Sequence, residues 1–297
     1  MNELVSINGE IFSPGDAKIS VFDRGFLYGD SVYEVARSYG RIFFALEDHV
    51  ERLFRSASRI DLDLNRTPQQ IIEEIYRVYK KSSQNDVYMR LVVTRGDEDK
   101  ISLDTKTGTS PNFVIFIKDL GQLSREYYER GVDIITASVK RNSKEALDPN
   151  IKSGNYLNSV MAITEAKQKK AFDALLVNRE GFVTEGTTWN VFIVKNNVVV
   201  TPPDEADILQ GITRQILRKI CKGQGVLLEE RFFTVDEFKK ADEAFSTGSV
   251  KEVLGIRSID GVVLGAGKPG PVTLMLSAAY KEYVKNYCEE REGTYNV

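Results

Sequence analysis

Strand-like and helix-like segments alternate along the whole chain, which predicts a mixed α/β (α+β) fold. The chain has 297 residues, too long for one typical small core, so two domains are expected. The stretch KDLGQLS (Lys118–Ser124) separates two groups of elements and reads as a linker. The expected division is a small N-terminal α/β domain over 1–117, a linker over 118–124 and a larger C-terminal domain over 125–297.

Taken in order, residues 4–12 and 18–22 read as a strand pair around the turn formers Ser13-Pro14-Gly15-Asp16. Val32–Ser38 and Ile42–Ala45 read as a hairpin around Tyr39-Gly40. Val50, Leu53, Phe54, Ala57 and Ile60 recur at helical spacing, as do Ile71, Ile72, Ile75, Tyr76 and Tyr79. Val87–Thr94 and Phe113–Ile117 read as strands, giving two helices on a mostly antiparallel sheet. Beyond the linker come a strand (Val132–Val139), a helix (Tyr156–Lys169) and a strand (Ala174–Val177). A hairpin joins Val191–Val194 to Val198–Val200 through an Asn-Asn turn. A helix starts near Ile212, a strand covers Val226–Glu230, and a closing helix runs from about Val272 to Glu290.

Hydrophobic content of 42% and charged content of 28% are those of a soluble globular protein. A net charge of -3 gives no basic footprint for nucleic acid and no polybasic membrane patch. No apolar run approaches the roughly 20 residues that span a bilayer. Met1–Glu10 has neither the basic nor the apolar region of a signal peptide. Cys221 and Cys288 are too few for a disulfide framework, so a reducing cytoplasm is the expected location. The single histidine, His49, leaves little room for a Ser-His-Asp triad or a zinc site, and no metal is expected. It lies in EDHVERLF at a helix start and reads as a packing or capping residue. Proton transfer then falls to Lys, Tyr, Cys or a carboxylate.

Lys152, in IKSGNYLNS, and Glu185, in TEGTTWN, are the pair that carries most information. A lysine that condenses with an aldehyde and an acid that keeps a pyridine nitrogen protonated are the minimal kit for pyridoxal phosphate chemistry. Among 40 Lys+Arg and 43 Asp+Glu, the pair needs support from its surroundings. A phosphate-bearing cofactor requires backbone N–H donors, which helix N-termini supply. QGITRQIL fits: Gly211 allows close approach, Thr213 adds a hydroxyl, and Ile212, Ile216 and Leu217 start a helix. Ser246-Thr247-Gly248-Ser249 is a second hydroxyl-rich turn, a source of donors or a plain turn. GAGKPG (Gly265–Gly270) matches the dinucleotide glycine pattern only formally, because Pro269 breaks the turn-to-helix geometry. Arg52, Arg55 and Arg59 share one helix face, which alone reads as solvated. Tyr88 and Arg90 share a strand face, as do Tyr33 and Arg37. These four form either a wall for a carboxylate substrate or a polar exposed sheet face.

The blocks DRGFLYGDSVYE, HVERL, KSGNYL, TEGTTWNVF, GITR and GPVT run nearly end to end. In this order they resemble the class IV, or fold-type IV, pyridoxal-phosphate aminotransferases. That family includes branched-chain and D-amino acid aminotransferases and aminodeoxychorismate lyase. The resemblance implies a small α/β sandwich domain and a larger pseudo-barrel domain that binds pyridoxal 5'-phosphate. It also implies an active site between the domains that borrows a loop from a partner subunit, hence a homodimer or higher homo-oligomer. Lys152 would carry the cofactor and move the proton, Glu185 would meet the ring nitrogen, and Tyr156 the phenolic oxygen. Arg55, the Gly211-Ile212-Thr213 helix start and Thr247-Gly248-Ser249 would hold the phosphate, with Leu209 against the ring. Tyr28, Tyr33, Arg37, Tyr88 and Arg90, with Ser249 and Val250, would bind the substrate. The implied reaction is ping-pong transfer of an amino group from an amino acid to a 2-oxo acid such as 2-oxoglutarate.

Three members of the family compete. Tyr88-Met89-Arg90, EVLGIRSIDG and GPVT resemble the L-branched-chain enzymes, although Leu91 stands where they have proline. The linker also lacks the aromatic, glycine-rich loop common in them. Asp23-Arg24-Gly25, Val32–Val35 and Val93-Thr94-Arg95-Gly96 resemble the D-amino acid enzymes; DEDKIS lacks their Arg-x-His carboxylate trap, for which Arg37 or Arg90 would substitute. Aminodeoxychorismate lyase has no specific support. The L-branched-chain reading is the first expectation, and the loop over 96–109 is expected to shape the pocket.

Overall fold

The computed structural model describes residues 3–97, 101–107, 110–121 and 123–294. Parts of the 96–109 loop, residues 98–100 and 108–109, lie outside the described residues, as does Gln122 of the expected linker. The chain divides into two compact units, the first comprising Met1–Gly121, Ile151–Asn155 and Lys285–Val297.

In the first unit lie β1 (Leu4–Ile7), β2 (Glu10–Phe12), α1 (Arg24–Tyr28), β3 (Ser31–Tyr39), β4 (Ile42–Phe43), α2 (Leu46–Ser58), α3 (Pro68–Tyr79), β5 (Val87–Thr94) and β6 (Asn112–Asp119). The six strands form one antiparallel sheet in the order β2-β1-β6-β5-β3-β4. Helices α2 and α3 bury Val50, Leu53, Ile71, Ile75 and Tyr79 in a common core with Val32, Met89, Leu91 and Ile115 from the sheet. α3 begins at a full capping box, Thr67 with Gln70, and has Pro68 at its first turn. The first hairpin differs from the sequence reading. Its turn is Asn8-Gly9, both at positive φ, joining β1 to β2 with Ile7 opposite Glu10. Asn-Gly supplies the left-handed pair that a two-residue hairpin demands. Ser13–Asp16 is a turn, but residues 18–22 belong to no strand.

The second unit comprises Gln122–Asn150 and Tyr156–Val284. Its elements are α4 (Arg125–Arg130), β7 (Val132–Thr136), α5 (Lys144–Leu147), α6 (Leu157–Gln168), β8 (Asp173–Val177), β9 (Val183–Gly186), β10 (Asn190–Lys195) and β11 (Val198–Thr201), then α7 (Ile212–Gly223), β12 (Leu228–Glu230), α8 (Val235–Phe238), β13 (Glu243–Gly248), β14 (Glu252–Ile259), β15 (Val262–Val263) and α9 (Pro271–Glu289), whose last turns group with the first unit. The sheet order β10-β13-β14-β7-β8-β9 returns to β10, because β9 also pairs with β10. The sheet is therefore a closed ring, the pseudo-barrel that fold-type IV implies, with β11 and β12 extending from it. Val191, Ile193, Ala244, Leu254 and Ile256 contribute to the core beneath it. Asn196 and Asn197 take positive φ in the β10–β11 turn, as their sequence suggests. Among the described residues, no helix is long and apolar enough to cross a membrane, and no acidic, His and Cys group could hold a metal ion.

The Lys152 stretch groups with the first unit because its backbone pairs with β3. Tyr33 N–H donates to the Lys152 carbonyl at 2.9 Å, and Gly154 N–H to the Ser31 carbonyl at 3.0 Å. A single cut at 118–124 does not capture this return of the chain.

Candidate active site

The site residues of the first unit are built on one face of β3 and β5. Side chains alternate along a strand, so Tyr33, Val35 and Arg37 point one way and Val32, Glu34 and Ala36 the other. The antiparallel register sets Arg37 opposite Tyr88 and Val35 opposite Arg90, so all four expected Tyr and Arg residues share that face. The Arg90 guanidinium lies over the Tyr33 ring at 4.3 Å, and the Arg37 guanidinium over Tyr39 at 4.1 Å. Lys152 Nζ donates to the Tyr33 hydroxyl at 2.9 Å. The lysine backbone is held on both sides, its N–H donating to Ser56 Oγ at 3.2 Å. Gly154 is needed here, since a Cβ would come within 2.4 Å of Ser31 Oγ. Tyr28, half-buried at the end of α1, carries the Arg24 guanidinium 5.2 Å from its ring centroid.

The opposite face of β3 holds a buried charged cluster. Glu34 accepts from Arg52 Nε at 2.7 Å and Nη2 at 2.8 Å, and pairs with His49 Nδ1 at 2.7 Å. Burial raises the Glu34 pKa, but the Arg52 guanidinium outweighs it and holds the carboxyl far below the usual range. Burial pushes the His49 imidazole below its ordinary value, and the positive charges of Arg52 and Lys152 add to this against the pull of Glu34. The three arginines of α2 thus part company. Arg52 is buried, whereas Arg55 has a half-exposed side chain with Glu51 at 3.8 Å as an ion partner. Arg59 is exposed. Arg52 lies one turn before Ser56, on the helix face that meets the Lys152 backbone; Arg55 does not.

The second unit builds its site residues around Glu185, at the end of β9. Arg141 donates to its Oε1 through Nε at 3.0 Å and lies at 2.7 Å through Nη2. Oε2 accepts from Asn190 Nδ2 and from the Leu209 backbone N–H, both at 3.1 Å. Glu185 is 6% exposed, and this set of N–H donors compensates its charge. Asn190 also donates to the Leu209 carbonyl at 2.9 Å, so one amide ties β10, Glu185 and the approach to α7 together. Gly211 caps α7 with no side-chain hydrogen bond, leaving the first N–H groups of a twelve-residue helix without a side-chain cap. A Cβ on Gly211 would fall 2.0 Å from Asn190 Oδ1. Ile212 and Thr213 are buried in the first turn, which fully buried Arg214 anchors through Asp204 and Glu230. Thr247 stands opposite Asn190 on β13, and its hydroxyl is buried with no hydrogen-bond partner among the described residues. Gly248, Ser249 and Val250 follow it at half-buried positions in the turn to β14. Tyr156 is half-buried at the N-cap of α6.

A cofactor phosphate suits this arrangement. An unpartnered buried hydroxyl and an uncapped helix N-terminus, beside a carboxylate held by cationic and amide donors, are donors for an anion and an acceptor for a ring N–H. Sequence reasoning missed Arg141, Asn190, Ser56 and the Glu34–His49–Arg52 cluster. Asn190 was within reach, as the last residue of the TEGTTWN block; Arg141 carries no local signal.

A family model described as amino-transferase class IV matches residues 31–259. The chain belongs to the class IV aminotransferases. It is 38% identical over 278 residues to a putative branched-chain-amino-acid aminotransferase of Methanocaldococcus jannaschii, covering 94% of this chain and 95% of that one. It is 35% identical over 280 residues to a D-alanine aminotransferase of Bacillus licheniformis, covering 94% and 96%. The T.th. branched-chain amino acid aminotransferase, solved with pyridoxamine 5'-phosphate, superposes with a TM-score of 0.91 at 31% identity, covering 98% and 96%. The aminotransferase is thus a pyridoxal-phosphate-dependent transaminase with the fold of the branched-chain enzymes.

Proposed function

We propose that the enzyme transfers the amino group of an L-branched-chain amino acid to a 2-oxo acid such as 2-oxoglutarate, with pyridoxal 5'-phosphate held by Lys152, Tyr156, Glu185 and the α7 start. The observation that carries the substrate reading is the commitment of Arg90 on β5 and of Arg95 just after it. Arg95, in the Thr-Arg-Gly that resembles the D-amino acid enzymes, is tied to Asp30 and to the Ile60 and Asp61 carbonyls. That removes it as a substrate cation. Arg90 instead lies over Tyr33, whose hydroxyl receives Lys152 Nζ. The Tyr88-x-Arg90 strand is therefore the better carboxylate partner.

When bound, the cofactor supplies an aldehyde carbon for the donor nitrogen and a protonated ring that takes up the electron pair left at Cα. Lys152 Nζ would take the proton from the donor Cα and deliver it, across the donor nitrogen, to the carbon that the cofactor supplies. Tyr33 holds that amine in place and serves as its hydrogen-bond partner. Glu185 receives the ring N–H at one of the positions now filled by its N–H donors. Thr247, Ser249 and the N–H groups of Ile212 and Thr213 hold the phosphate, with Leu209 against the ring. For the phosphate cation, Arg52 is preferred to Arg55, because it is buried on the α2 face that meets the lysine backbone, where Glu34 holds its guanidinium in place. The enzyme works as a homodimer or higher homo-oligomer in the cytoplasm.

A second reading, D-amino acid transamination, is favoured by the likeness to the Bacillus licheniformis D-alanine enzyme. A half-reaction screen separates the two. Single L- and D-amino acids are added to the loaded enzyme, and the visible cofactor absorbance is followed. L-leucine, L-isoleucine and L-valine are expected to bleach it fastest, and Lys152→Ala to abolish bleaching. Fast bleaching by D-alanine with none by L-leucine would sink the L-branched-chain reading.

A further inference from the structure

Arg24 is a buried arginine on a five-residue helix, and the chemistry above does not use it. Its guanidinium reaches three places at once. Nε donates to Asp30 Oδ2 at 2.8 Å, Nη1 donates to the Ser102 carbonyl at 2.7 Å and to the Asp104 carbonyl at 3.5 Å, and the Tyr28 ring lies 5.2 Å from its carbon. Its backbone N–H donates to the Gly96 carbonyl at 2.9 Å. The Arg24 side chain thus ties the loop around Ser102 to α1, while Asp30 is shared with Arg95, which holds the Ile60 and Asp61 carbonyls.

The other side of the same segment meets the lysine stretch. Gly154 N–H donates to the Ser31 carbonyl at 3.0 Å, and Asn155 Nδ2 to the Gly29 carbonyl at 3.4 Å. Gly29 sits at φ 68° with Asn155 Oδ1 only 2.9 Å from where a Cβ would stand, so this contact leaves little slack. Loop 101–106, Tyr28 and the Lys152 stretch are therefore referenced to one short segment, Arg24–Ser31. The fastened loop also holds Ile101 and Leu103, flanking Ser102, exposed at 75% and 76%.

We propose that Arg24 is a positioning residue for donor binding: it fixes the loop around Ser102 and the Tyr28 ring in register with the Lys152 stretch, and so sets the affinity for the amino acid. This rests on the reading that Tyr28 lines the donor pocket. It does not depend on which amino acid is preferred. A charge-assisted guanidinium bond to a loop carbonyl is directional, and neither a lysine nor an amide reproduces three such contacts from one position.

The test uses the loaded full-length enzyme with Arg24→Lys and Arg24→Gln, assayed with whichever donor the wild type turns over fastest. The expected result is a KM for the donor raised about tenfold, with kcat within threefold and the cofactor absorbance and its pH titration as in the wild type. Hydrogen exchange of the amides over 102–106 is expected to quicken at least tenfold, a readout independent of turnover. Arg24→Lys, which keeps the charge beside Asp30, guards against a Gln variant that fails to fold. An unchanged KM, or a kcat that falls with the cofactor band while KM stays constant, overturns the proposal. A wild type that prefers D-amino acids defeats only the substrate reading, because the KM comparison is then made on that donor.

Discussion

Gly211→Ala is the substitution that most directly probes the site around Glu185. The backbone there is at φ -69° and ψ 136°, which alanine adopts freely, so conformational strain plays no part. The cost is steric: the new Cβ falls 2.0 Å from Asn190 Oδ1, whereas ordinary contact begins at 3.4 Å. The amide, or the start of α7, must retreat by the difference, 1.4 Å. Asn190 Nδ2 spans 3.1 Å to Glu185 Oε2 and 2.9 Å to the Leu209 carbonyl, and a shift of that size breaks both bonds. Two buried hydrogen bonds at about 1 to 1.5 kcal/mol each give a destabilisation of about 2–3 kcal/mol. The helix start then leaves its position beside Thr247, so cofactor affinity should fall at least tenfold. Urea denaturation and an absorbance titration with pyridoxal phosphate measure the two effects. Gly223→Ala, in the last turn of the same helix with nothing within 4 Å of its Cβ, serves as control and should be neutral or slightly stabilising. A Gly211→Ala protein within about 0.5 kcal/mol of wild type, the spread of ordinary surface substitutions, and with unchanged cofactor affinity would refute the steric argument.

Two further outcomes are expected. Arg52→Lys should weaken pyridoxal phosphate binding about tenfold or more, because a forked buried donor is lost, whereas Arg55→Ala should leave it within twofold, since its pair with Glu51 is a solvated surface contact; equal losses in the titration would return Arg55 to the phosphate. Stability should also fall with acid. The folded pKa of His49 lies below its ordinary 6.5, so the unfolded chain takes up that proton first as the pH drops through about 6.5, and stability present above that value is lost below it. Glu34, also depressed in the fold, adds a second loss beginning near its ordinary 4.5. Below pH 6.5 the slope should approach about 1.4 kcal/mol per pH unit while one proton separates the two states, and His49→Gln should flatten it; parallel curves for the two proteins in denaturant titrations would remove His49 as the source.

The sequence carried the periodic elements well because periodicity is a local property. The helices around Val50 and Ile71, the β5 strand and the Asn196-Asn197 turn all follow from residue spacing alone. The shared face of Tyr33, Arg37, Tyr88 and Arg90 was half legible: alternation gives each strand its face, but only the pairing of Arg37 with Tyr88 makes the two faces one. Glu34 was illegible. A charge on the core-facing side of a strand is tolerable only once Arg52 and His49 arrive from α2, and nothing at position 34 announces them. Arg141 was missed for the same reason, its partner being 44 residues away. The first hairpin turned on a simpler oversight, the stronger turn signal of Asn8-Gly9 over Ser13–Asp16.

The closure of the second unit's sheet has a mechanical meaning. The ring is fastened where β9 meets β10, and that seam is a single rung, Glu185 opposite Asn190, at the neck of a tight loop braced by the Gly186 N–H on the Trp189 carbonyl. The rung that shuts the cylinder thus joins Glu185, the residue proposed to meet the cofactor ring, to Asn190, whose amide also bonds its carboxylate. A ligand bound there acts as a rivet: at one hundred times its dissociation constant it adds about 2.7 kcal/mol to the folded state, delivered at the narrowest join of the sheet. Cofactor bound at that rung would thus steady the closure of the cylinder together with the fold as a whole.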